Sequence, residues 1–136
     1  MPQHVVTWEG GRRFAGRTAD GRESRFDVPV AMGGDGTAPS PMEAVLHALA
    51  ACSAVDVVAI LEKMRCPPAS LRVEIDAERA ADHPKVYTSI DLLFVVTGEV
   101  PEKKLARAIE LSAGTFCSVG AMLGATVRIA HRYELR

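Results

Sequence analysis

The stretch Ser40–Arg65, SPMEAVLHALAACSAVDVVAILEKMR, holds no glycine or proline after Pro41 and reads as one long helix. Ser40 suits the N-cap, Pro41 the first helical turn, and Glu43 the reach-back of a capping box. Cys66-Pro67-Pro68 ends it, because proline lacks the N–H a helix needs and restricts the residue before it. Steps of about 100° per residue place Val45, Ala48, Leu49, Cys52, Asp56 and Ala59 on one face. Leu46, Ala50, Val57, Ile60 and Leu61 spread over the rest, so the helix is apolar almost all round. Such a helix is buried on every side. A chain of 136 residues has too little sheet to wrap it alone, and a homodimer is expected.

Outward from this helix the pattern changes period. Val5–Trp8 and Phe14–Thr18 read as short strands joined at Gly10-Gly11, and Asp20-Gly21 turns the chain into a third strand, Glu23–Val30. Ala31–Pro41, AMGGDGTAPSP, is a loop. After the helix, Leu71–Glu78 alternates apolar with charged residues, and Val86–Thr97 ends in DLLFVV with both faces apolar. Pro101–Ser112 is an amphipathic helix with Leu105, Ala108, Ile109 and Leu111 inward. A short helical turn follows at Ser118–Leu123, and Thr126–Leu135 closes the chain as a strand carrying Val127, Ile129 and His131 on one face. The order predicts an α+β fold with antiparallel sheet, in a single domain over 1–136.

Bulk properties exclude several classes. Apolar residues make up 48% of the chain, enough for a core, and a formal net charge of -1 with scattered Lys and Arg argues against nucleic-acid binding. The amino terminus carries no basic segment followed by an apolar one, and His47 and Asp56 interrupt the only candidate membrane span, so a cytoplasmic protein is expected. The three cysteines, Cys52, Cys66 and Cys117, lack the count and spacing of a secreted disulfide framework. With no CxxC or HxxxH spacing and four dispersed histidines, no metal site is expected.

On residue chemistry alone Cys52 favours a packing role. It lies three turns into its helix, beyond the reach of the helix dipole, and Asp56 one turn later disfavours a thiolate. Cys117, in GTFCSVGAML, follows a Gly-Thr break at the start of a helical turn, where backbone N–H groups stabilise a thiolate; filler and reactive group remain equal readings there. The two thiols can meet only through the fold. Cys66 is a bystander beside two prolines.

The segment Ser40–Arg65 together with FCSVGAML, Phe116–Leu123, resembles the OsmC/Ohr family, the osmotically inducible protein C and organic hydroperoxide resistance group. The glycine-rich loop, the small-residue helix with one Cys, the aspartate four residues on and the second Cys all agree, and the likeness spans nearly the whole chain. The C-x-x-x-D-V-V-x-I-L stretch is closest to the broader OsmC-like branch. The resemblance implies an interlocked homodimer with sheets wrapped around a long central helix. It also implies a thiol peroxidase that reduces organic or inorganic hydroperoxides. Cys52 would be the peroxidatic thiol, Cys117 the resolving one, and a cellular dithiol the final reductant, with no metal or organic cofactor. Hydroperoxide-resistance members combine an amino-terminal arginine with a Glu directly after the Pro. Here Met42 follows Pro41, the acid comes at Glu43, and GGRR offers Arg12, with Arg13 and Arg17 as further choices.

Two other readings compete. A helix wrapped by sheet also describes a hot-dog thioesterase with Glu43 or Asp56 as the acid, although that leaves the second cysteine unexplained. The third is an OsmC-fold binding protein without chemistry.

Overall fold

The computed structural model describes residues 2–136. Their contacts group into two compact units, residues 1–47 and 48–136, with one helix running across the boundary.

The amino-terminal unit is a three-stranded antiparallel sheet in the order β1 (His4–Trp8), β2 (Phe14–Thr18), β3 (Glu23–Phe26). The third strand is shorter than its alternation suggests, and the cause is Asp27. This fully buried carboxylate accepts N–H bonds from Val28 (2.7 Å) and Thr37 (3.0 Å), and the Thr37 hydroxyl at 2.7 Å. Those bonds turn the chain out of the sheet and fasten the glycine-rich loop, leaving only one turn of 3-10 helix at Val30–Met32. Gly34 is required there: a Cβ at this position would lie 2.0 Å from the Val28 carbonyl oxygen.

Helix α1 (Pro41–Lys63) opens as the capping-box pattern predicts. The Ser40 hydroxyl accepts from Glu43 N at 3.1 Å, and Glu43 Oε1 accepts from Ser40 N at 3.0 Å. At its other end Arg65 adopts a left-handed φ of 61° ahead of Pro67-Pro68. Within the single chain only Leu49, Ala50, Ser53, Val57 and Leu61 of α1 are buried. By length and composition the helix would suffice to cross a membrane, with a mean hydropathy of 2.1 in its most apolar window.

The second unit carries the core, with Leu49, Leu61, Ile90, Leu92, Phe94 and Leu105 fully buried. Each such side chain contributes about 1.5–3 kcal/mol relative to exposure. Its sheet has the order β4 (Ser70–Arg79), β5 (Tyr87–Thr97), β6 (Arg128–Leu135). The central place of β5 explains why DLLFVV is apolar on both faces. The α+β class holds, but the sheet is mixed where antiparallel pairing was expected throughout. β4 and β5 are antiparallel, whereas β5 and β6 run parallel, Ile90 opposite Ile129 and Leu92 opposite His131. The reason is the connection: α2 (Glu102–Leu111), a π-helical turn (Ser112–Phe116) and α3 (Ser118–Leu123) form a crossover long enough to return the chain in the same direction. Leu105, Ala108 and Ile109 of α2 are buried as the amphipathic pattern requires, while Leu111 is only half-buried.

Asp27 gives this unit-level description a measurable consequence. Its carboxyl is held far below its ordinary 3.8, first by the Thr37 hydroxyl and then by backbone N–H groups. A lowered native pKa means a stabilising contribution that is fully present above pH 3.8 and is lost as the pH falls below that value. Thermal melts should therefore show wild-type Tm dropping more steeply below pH 4 than that of Asp27→Asn, with the variant already less stable at pH 7.

Candidate active site

Two of the four candidate site residues meet in the second unit. Cys52, half-buried on α1, and Cys117, buried at the N-cap of α3, are close enough for the Cys52 side chain to act on the Cys117 thiol, and none of the three cysteines is in a disulfide. The Cys117 sulfur accepts the Gly120 N–H at 3.3 Å, the helix-start interaction that its sequence context suggests. Burial pushes the Cys117 thiol up; the Gly120 N–H opposes this, while the Cys52 side chain and the charge of Asp56 add to it. Gly120 also gives the sulfur its room, since a Cβ there would stand 3.1 Å from Cys117 Sγ and 3.6 Å from Leu49 Cδ1.

The approach of the thiols is held by a polar cluster that no motif announces. Ser112, fully buried, donates from Oγ to Asp56 Oδ2 at 2.9 Å and lies 3.2 Å from the equally buried Ser53 Oγ. Its carbonyl accepts the Cys117 N–H at 2.8 Å, closing the π-helical turn. One serine thereby joins the aspartate of α1 to the backbone of the second cysteine. The Gly-Thr break ahead of Cys117 signals that α2 stops, but not that it stops through a wider turn. Behind Cys117 opens a cavity of about 470 Å³ lined by Glu110, Gly114, Gly120, Gly124 and His131, whose imidazole burial keeps neutral to lower pH than usual.

The other two candidates belong to the amino-terminal unit. Glu43 is engaged in the α1 cap, and the Ser40 N–H, the Ser40 hydroxyl and nearby His47 hold its carboxyl below the ordinary value. Arg12 sits exposed in the β1–β2 turn and donates only to the Gly11 carbonyl at 3.3 Å. Its alternatives are already paired: Arg13 with Asp35, and Arg17 with Glu23 at 2.7 Å. Among the described residues Arg12 forms no ion pair. Cys66 is buried at the end of α1.

Comparison with known proteins agrees with this architecture. Residues 34–132 match the family model described as OsmC-like protein. Protein YhfA of Escherichia coli (strain K12) is 42% identical over 135 residues, covering 98% of this chain and 97% of that one. A hypothetical protein from Aquifex aeolicus VF5 superposes with a TM-score of 0.86 at 29% identity, covering 100% and 96% of the two chains. The fold extends to an organic hydroperoxide resistance protein OsmC of Legionella pneumophila, with a TM-score of 0.72 at 16% identity over 98% of each chain. The chain belongs to the OsmC-like family. The hot-dog reading gives way to this assignment.

Because Gly120 leaves so little clearance, Gly120→Ala should displace the Cys117 sulfur by a few tenths of an ångström while leaving the fold intact. Disulfide formation between Cys52 and Cys117 under diamide, followed by mass spectrometry, should slow by about tenfold.

Proposed function

We propose that the protein is a cysteine-based hydroperoxide reductase that works as a homodimer in the cytoplasm. The observation that carries this reading is the pair of free thiols, Cys52 and Cys117, brought near one another although they come from separate elements. A packing role requires no second thiol nearby; resolution of a sulfenic acid within the chain does.

The Cys52 thiolate attacks the distal oxygen of the hydroperoxide. The O–O bond breaks, the alkoxide leaves and is protonated to the alcohol, and Cys52 becomes a sulfenic acid. Cys117 then attacks the Cys52 sulfur, forming the disulfide and releasing water. A dithiol restores both thiols by exchange through a mixed disulfide. Of the three arginines Arg12 is preferred as the activating cation, and what supports the choice over Arg13 and Arg17 is that it has no carboxylate partner among the described residues. Glu43, the acid nearest the helix start, is assigned to hold that guanidinium.

Cys52→Ser should abolish consumption of tert-butyl hydroperoxide with dihydrolipoamide as reductant. Cys117→Ser should stop after one turnover with Cys52 as a sulfenic acid that dimedone traps. Persistent turnover by Cys52→Ser would overturn the assignment to Cys52, and absence of turnover in the wild type would leave the OsmC-fold binding protein in its place.

The homodimer rests on α1. Its apolar residues Ala51, Val55 and Ala59 face a groove of about 760 Å³ completed by Pro67, Pro68 and Leu71, and Val55 is 68% exposed in the single chain. A second copy covers such a face more cheaply than water does. Light scattering without detergent should give twice the chain mass of 14.6 kDa, and Val55→Asp should shift it to the monomer.

A further inference from the structure

Asp56 follows Cys52 by one helical turn, where its charge opposes thiolate formation, and the reaction above gives it no part. Its surroundings supply one. The buried Ser112 hydroxyl fixes Oδ2 at 2.9 Å, and the same residue's carbonyl fixes the Cys117 N–H at 2.8 Å. The carboxylate and the backbone of the attacking cysteine are thus held by one side chain and its own backbone. The π-helical turn between Ser112 and Cys117 is what allows both bonds at once, and such widened turns concentrate at functional sites. The titratable and charged groups around Asp56 are Cys52, Cys117 and Lys63. Lys63 borders, with Phe116, a pocket of about 160 Å³ beside the carboxylate.

Resting on the peroxidase reading, we infer that Asp56 is the proton relay of the resolving step and Ser112 the residue that positions it. As Cys117 Sγ attacks the Cys52 sulfenic acid, the S–S bond forms and the S–O bond breaks. The Cys117 proton passes to the Asp56 carboxylate and from there to the departing hydroxide, which leaves as water. The carboxylate ends the step as it began, and no other oxidant or reductant enters. The relay removes the need for a free Cys117 thiolate, which burial above all disfavours. The aspartate that hinders one thiol thereby serves the other.

The test is rapid mixing of reduced protein with tert-butyl hydroperoxide between pH 6 and 8. Dimedone traps the Cys52 sulfenic acid, and mass spectrometry counts the disulfide against time. In the wild type the resolving rate should be flat with pH, because Asp56 takes the Cys117 proton as the thiol attacks. Asp56→Asn should resolve about a hundredfold more slowly at pH 7 and gain roughly tenfold per pH unit, because only the thiolate then attacks. Asp56→Glu should recover the flat profile, an effect that a purely structural role would not produce. Ser112→Ala should keep the flat profile at a rate about tenfold lower. An Asp56→Asn protein that resolves at the wild-type rate with the wild-type profile would overturn the relay while leaving the peroxidase intact. If that variant does not fold, a wild-type rate in Ser112→Ala overturns it instead. Absence of any dimedone adduct in Cys117→Ser would remove the peroxidase reading and the relay with it.

Discussion

The hydrogen bond from Ser112 to Asp56 is the constraint on which the site depends. α1 and the turn before α3 are far apart in the chain, and apolar packing between them would tolerate a shift of an ångström at little cost. The buried Ser112 hydroxyl is more exacting, because its bonds to Asp56 and Ser53 are directional and weaken with such a shift. Ser112 meets Asp56 and Ser53 through its side chain and Cys117 through its carbonyl. The approach of the thiols inherits its precision from this serine rather than from the sulfurs, whose own hydrogen bonds are weak.

In the other unit a fully buried carboxylate is likewise a hydrogen-bonding anchor. Asp27 gathers the N–H groups of the glycine-rich loop and ends β3. Asp27 takes the place of regular secondary structure where the backbone leaves it, whereas Asp56 accepts from the Ser112 hydroxyl within an unbroken helix. The difference lies in what surrounds the charge. Asp27 is saturated by donors and has nothing left to exchange, which is the signature of a structural anchor. Asp56 has one oxygen bound by Ser112, follows Cys52 by one helical turn, and its charge bears on the Cys117 thiol, the setting from which the proposed relay is argued.

The long helix is shaped by two demands. It must carry Cys52 at a fixed height against the core, which Leu49, Ser53, Val57 and Leu61 secure by burial at helical spacing. It also presents Val55 and the small residues around it outward. A helix that served only the core of one chain would be polar on that outer side. The uniform apolarity is intelligible once the proposed partner subunit is counted as part of its environment.

Much of the architecture was legible in residue order alone. Local rules act within a few residues, so the capping box at Ser40 and Glu43, the Pro-Pro stop, the amphipathic α2 and the apolar β5 all follow from neighbouring side chains and backbone geometry. Pairing direction and the shortened β3 did not follow, because parallel alignment of β6 depends on the whole crossover and the end of β3 depends on a carboxylate reaching Thr37. The site divides along the same line. Cys52 and Cys117 could be named as candidates, since thiols carry their chemistry in the residue type. That they come near one another, and that Ser112 ties Asp56 to the Cys117 backbone, was decided only by tertiary structure: contacts between distant segments are set by packing and hydrogen bonding across the fold, and a linear pattern has no means of recording them.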